Sequence, residues 1–271
     1  MTGVPHPSGI PLELLEIVMG AGVGFLIGLT GLGSGSLLTP MLILGAGFSP
    51  TAAVGTSLTF SCLTKFGGSI SFLRRGLVRY EIVRDLALGG LPGVMAGAML
   101  LHYMGVWHPA RLDSFLLRAI GLVLIAVSVI LFLRLLPERV RPEIVDRELR
   151  LHPALRRAVV MICGFLVGAS VSVTSIGAGA ALMPVMVLCY RMDTGTLVGS
   201  NVFASAFLAA VAALPYARME HVSWAATGFL LAGSLPAMWL ASRMHGRIPK
   251  LIPEGLIAAA LLGMGLRIAM F

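Results

Sequence analysis

Charge is what this sequence has least of. Only 12% of its 271 residues are Asp, Glu, Lys or Arg, about half the share of an average soluble domain. Beside 57% hydrophobic residues and a mean hydropathy of +0.94, that scarcity excludes a soluble globular fold. Acidic residues number 12 against 20 Lys and Arg, yet the formal charge of +8 does not read as a nucleic-acid footprint. The basic residues gather in short loops between apolar runs, where they set membrane orientation. The three cysteines, Cys62, Cys163 and Cys189, lie in or at the ends of apolar stretches, without metal spacing or a pairing pattern, and read as small hydrophobes. No HExxH, nucleophile elbow, Walker sequence or intramembrane carboxylate pair is present, so no enzyme activity, metal or cofactor is expected. The N-terminus has Glu13 and Glu16 where a signal peptide carries basic residues, so the first apolar segment is expected in the mature protein.

What the sequence does have is a series of apolar runs. A helix needs about 20 such residues to cross the hydrocarbon core. Full-length candidates fall near 12–31, 52–73, 82–103, 115–136, 156–176, 196–217, 223–243 and 252–270. Two further runs, 35–48 and 178–190, are shorter and each follows a Gly-x-Gly break, the pattern of half-helices or re-entrant hairpins. The expected fold is an all-α polytopic membrane protein.

Shifting the sequence by 144 residues superposes its two halves without a gap from Gly20 to Cys62. Gly20, Gly24, Thr30, Gly33, Gly35, Pro40, Gly55 and Ser61 recur as Gly164, Gly168, Thr174, Gly177, Gly179, Pro184, Gly199 and Ser205. Repeats of 1–136 and 156–271 follow, joined by a loop at 137–155. Arg74, Arg75, Arg79 and Arg84 place the loop after the third segment in the cytoplasm, and the arginines from Arg134 to Arg157 do the same for the inter-repeat loop. The equivalent loop of the second half holds Arg218 beside Glu220 and reads as external, so the repeats are expected to be inverted, each a broken hairpin followed by three spans. Inverted repeats typify secondary transporters, whose substrate site lies near the midplane where broken helices meet.

Three groups of residues could bind substrate. The first is the pair of breaks, with Thr30, Gly33, Ser34 and Gly35 in one and Ser175, Gly177 and Gly179 in the other. Helices that start inside the protein aim free N–H groups at an anion; the alternative is that the small residues only allow close packing. The second is Lys65, thirteen residues after Ala52 and nine before Arg74. An ammonium at that depth is a candidate anion partner, or else a side chain snorkelling to the interface. The third is a polar stripe. Thr56, Ser57, Ser200 and Asn201 follow Gly55 and Gly199 and fit oxyanion contacts or structural hydrogen bonds equally, whereas Thr59 and Ser205 read better as structural, bonding to a neighbouring helix or back to the i−4 carbonyl. With no embedded carboxylate expected, proton coupling would ride on the substrate or on edge residues such as Glu81, Asp85 or Asp193.

The run GLTGLGSGSLLTPMLILGAGFSPTAAVGTSL, the later LTKFGGSISFLRRGLV, and VTSIGAGAALMP with TLVGSN resemble the TauE/SafE family of membrane permeases along nearly the entire chain. The resemblance implies a multi-pass carrier of the bacterial inner membrane for small sulfur oxyanions or organosulfonates, with export of sulfite as the namesake activity. It maps the family's glycine-rich hairpin onto Gly31, Gly33 and Gly35, with a second copy at Gly177 and Gly179, and matches Gly55, Thr56, Ser57, Thr64 and Lys65. Ser34 stands where many members have a further Gly, and Asn201 where some have an acidic residue, so the substrate can differ from the namesake's. The partners expected are a small anion, the bilayer, protons as a coupling ion and a second copy of the chain, with no nucleic acid. An anion channel and a non-transporting scaffold that uses the loop from Glu138 to Leu151 are the rival readings.

Overall fold

A computed structural model describes residues 11–30, 35–135, 153–176, 179, 182, 186, 189–190, 193–244 and 251–270. Among these the chain is helical and has no strand. The helices are α1 (Leu12–Thr30), α2 (Gly35–Leu44), α3 (Pro50–Arg74), α4 (Tyr80–Trp107), α5 (Pro109–Leu135), α6 (Pro153–Thr174), α7 (Thr194–Arg218), α8 (Trp224–Met244) and α9 (Leu251–Ala269). The expected spans correspond to these elements, and α2 is the short one. Most of the second short run, and the inter-repeat loop from 136 to 152, lie outside the described residues.

Five described segments, in α4, α5, α6, α7 and α8, are long and apolar enough to cross a membrane. Helix α3 is also 25 residues long, but hydroxyl side chains dilute its hydropathy. Its position explains that composition: every residue from Ala53 to Ser61 is buried in the protein. The outer helices show the reverse, with Met99 77% and Leu122 70% exposed on faces suited to lipid.

Local capping is repeated at the 144-residue offset. Ser49 opens α3 by accepting the Ala52 N–H at 3.3 Å, and Asp193 opens α7 by accepting that of Thr196 at 3.0 Å. Both caps have φ −60° and ψ 148°, the extended geometry of an N-cap. After the two helices, Gly76 and Glu220 both take left-handed φ, +67° and +58°, so that Leu77 donates to the Phe72 carbonyl and His221 to that of Tyr216, each at 3.0 Å.

Packing follows the same offset. A Cβ on Gly20 or Gly24 would collide with the backbone of Leu230 or Ser234, and one on Gly89 or Gly93 with that of Met161 or Phe165. These absent side chains let α1 lie against α8 and α4 against α6. Contacts advance together along both members of each pair, so the partners run parallel. Helices α3 and α7 instead cross antiparallel: Gly55 lies under the His221 carbonyl, beyond the end of α7, and Gly199 under that of Leu77, beyond the end of α3.

Candidate functional site

Helix α3 carries three of the expected site residues. Ser57 faces α2, where its Oγ lies 2.6 Å from Thr39 Oγ1. Each hydroxyl has one proton, yet Thr39 also reaches the Gly35 carbonyl at 3.1 Å and Ser57 that of Val54 at 3.2 Å. The pair therefore always leaves one of these three bonds unmade.

Gly35 connects this pair to the second break. A Cβ there would strike the Ser175 carbonyl oxygen and stand 2.9 Å from Ser175 Oγ, so the two breaks touch. Ser175 is 4% exposed, holds φ at +61° and has no hydrogen-bond partner for its hydroxyl. Left-handed φ is uncommon outside glycine, and the residue 144 positions earlier is Gly31. Farther along the second break, Asn201 Nδ2 donates to the Gly179 carbonyl at 3.0 Å, while Oδ1 is buried and unpaired. Ser172 Oγ is likewise unpaired, although its carbonyl accepts from Tyr216 OH at 2.9 Å.

Lys65 is 9% exposed, and among the described residues no carboxylate pairs with it. It lies eight residues beyond Ser57, a rise of about 12 Å along α3. The structure thus brings Gly35, Ser57 and Ser175 together, joins Asn201 to Gly179, and sets Lys65 two turns away on the same buried helix. Thr30 closes α1; Gly33, Ser34 and Gly177 lie outside the described residues.

Thr56 and Ser200 have a different employment. Thr56 Oγ1 accepts the Ser223 N–H at 3.1 Å, and Ser200 Oγ accepts that of Arg79 at 2.9 Å. Each hydroxyl ties its helix to the loop ahead of the other half's parallel-packed helix. Thr59 and Ser205 bond back to the carbonyls of Gly55 and Val202, at 2.9 Å and 3.1 Å.

Two features lay beyond the sequence reading. Glu16 and Asp85, 3% and 5% exposed, are carboxylates buried within α1 and α4, where none was expected. Asp85 is held at one end of the molecule by Arg84 at 3.2 Å, Arg157 at 3.6 Å and Tyr190 OH at 3.4 Å. The Arg156 guanidinium stacks 4.8 Å above the Tyr190 ring. The signal available was Asp85 in α4, read as an edge residue, and the Arg156–Arg157 pair in α6, read as topogenic charge.

Among the described residues the arrangement joins helix breaks, unpaired buried oxygens and a buried ammonium with no carboxylate partner inside a membrane bundle. The family model described as "Sulfite exporter TauE/SafE" matches residues 16–268. The chain belongs to the TauE/SafE family. Among curated proteins, this TauE/SafE chain is 30% identical over 253 residues to the probable membrane transporter protein YjnA of Bacillus subtilis (strain 168), covering 93% of this chain and 98% of that one. It is 26% identical over 240 residues to a probable membrane transporter protein of Xylella fastidiosa (strain Temecula1), covering 88% and 87%. No solved structure matches. The chain is a multi-pass membrane protein of a transporter family.

Proposed function

We propose that this TauE/SafE protein is a secondary transporter that exports a small sulfur-containing anion, such as sulfite, thiosulfate or an organosulfonate, across the bacterial inner membrane. Transport proceeds by alternating access, one repeat rocking against the other. The observation that carries this reading is the meeting of the two breaks at Gly35 and Ser175, with unpaired buried oxygens on Ser172, Ser175 and Asn201 and with the buried Lys65, which has no carboxylate partner among the described residues, on the helix packed against α2. Broken helices meeting at a centre are the device by which inverted repeats hold a substrate and expose it to each side in turn. The antiparallel crossing of α3 and α7, and the exchange of partners between α1–α8 and α4–α6, support inversion of the repeats.

The remaining site residues have roles in this reading. Thr30, Gly33, Ser34, Gly177 and Gly179 shape the tips, Ser57, Ser175 and Asn201 supply hydrogen bonds, and Lys65 supplies charge. Thr56 and Ser200 hold the cross-half joints about which the repeats turn. The sulfur chemistry follows the family's printed description, since the relatives' names state no substrate.

The test is flux in proteoliposomes for a panel of sulfite, thiosulfate, sulfate and a small organosulfonate, with and without a proton gradient. The account expects saturable flux of one or more anions, with counterflow. Conductance without saturation would favour a channel, and no flux under any gradient would remove the anion-carrier reading.

A further inference from the structure

We infer that the centre accepts its substrate only as a monoanion, so that an oxyanion with two charges crosses with a proton bound to it. This rests on the anion-carrier reading above and adds the charge state of the cargo and the origin of proton coupling.

The charge balance of the interior carries the inference. Among the described residues the buried charged side chains are Glu16, Lys65 and Asp85. Asp85 is held by Arg84 and Arg157 at one end of the molecule, and Glu16 lies in the second turn of α1. Neither Lys65 nor Glu16 has an ion-pair partner among the described residues, and the half-buried Arg156, whose Nε is buried and unpaired, stacks on Tyr190 beside Asp85, so Lys65 is the buried cation of the described interior with no carboxylate at hand. A monoanion beside it closes the charge; a dianion leaves one unit uncompensated where water is excluded, which costs more than a neutral contact set can return.

One of the neutral groups points the same way, and the hydroxyls suit either form. Asn201 Oδ1 is buried, unpaired and able only to accept a hydrogen bond, while Ser172 and Ser175 hold unpaired hydroxyls. A fully deprotonated oxyanion has nothing to donate to an acceptor. A protonated one has an O–H. In the coupled step a proton from the aqueous phase bonds to one oxygen of the dianion, lowering its charge from two to one; the O–H bond breaks again on the far side, and the protein gains and loses no proton.

Of the titratable groups on elements packed on α3, Arg111 and Arg118 of α5 and Arg218 of α7 are exposed, and three others have bonds of their own. Asp113 of α5 accepts from Thr51 at 2.6 Å, Tyr216 of α7 donates to the Ser172 carbonyl, and Asp193 caps α7. On α3 itself Cys62 lies one turn before Lys65.

The experiment compares three anions with the wild-type protein in proteoliposomes, each corrected for protein-free vesicles: methanesulfonate, a permanent monoanion; sulfate, a dianion; and sulfite, at one pH below and one above its second protonation. Methanesulfonate flux should be the same at both values, which also excludes titration of Lys65 as the cause of any change. Sulfate should move slower by at least about a hundredfold. Sulfite flux should fall with rising pH in step with the hydrogensulfite fraction and acidify the receiving compartment, as methanesulfonate flux should not. Sulfate moving as fast as methanesulfonate, or sulfite flux following total sulfite at both values, would overturn the inference and leave the carrier reading intact. No flux of any of the three would remove both.

Discussion

The two halves of this molecule agree in how they are joined and differ in what they carry. At the joints, Thr56 binds the Ser223 amide and Ser200 the Arg79 amide, Gly55 meets His221 and Gly199 meets Leu77, all related by the same 144-residue offset. At the centre the correspondence ends. Lys65 faces a second-half counterpart that is Ala209, Ser57 one that is Asn201, and Phe72 one that is Tyr216. The difference teaches that the residues matched at this offset keep the same packing in both halves while the buried ammonium of α3 has no counterpart in α7. A substrate held by such a site has one electrostatic anchor and a set of adaptable neutral contacts.

The comparison can be broken first at the helix crossings. Gly24→Leu and Gly168→Leu each force a side chain into a neighbouring backbone, Ser234 or Gly90. Each should cost more than about 3 kcal/mol and lose folded protein to a similar degree, as judged by monodisperse yield after extraction. A tolerant site in one half would show that the two crossings are not equivalent. Asp85→Asn attacks an element with no second-half copy, since the counterpart of Asp85 is Phe229. Its arginine partners are more than half exposed, so the loss should be about 1–3 kcal/mol in a thermal unfolding assay; an unchanged midpoint would make the cluster ornamental.

Smaller effects sharpen the likeness. Thr56→Val and Ser200→Ala each leave a backbone amide unpaired, and both should lower stability by about 1–2 kcal/mol. A twofold or larger disparity between their shifts would separate the joints. The smallest effect is acid sensitivity of the caps. Hydrogen bonds from Thr196 hold the exposed Asp193 carboxyl below its ordinary range, so its contribution is present above the unfolded pKa and fades as pH falls through the lower folded value. Replacing Asp193 by Ser, the residue at position 49, should abolish that fade, read as midpoint against pH; persistence of the fade would place its origin elsewhere.

Much of this was legible in the sequence. Helix positions followed from apolar runs because the bilayer sets their length, and a structural role for Thr59 and Ser205 followed from the local habit of hydroxyls in helices, while that they bond back and not across is the structure's finding. The offset showed which residues correspond, but correspondence does not say what packs on what. That Thr56 reaches Ser223 across 167 positions, or Tyr190 reaches Asp85 across 105, depends on helix pairing that no local pattern encodes. The carboxylates Glu16 and Asp85 were misjudged because their places near helix starts look solvated until α8 and α6 cover α1 and α4.

The central claim is that one unpaired lysine anchors the anion, and counterflow of labelled substrate in proteoliposomes tests it most directly. Wild type and Lys65→Arg should both show saturable counterflow, and Lys65→Ala should lose it while eluting as the same monodisperse species. Counterflow in Lys65→Ala at the wild-type rate would contradict the account.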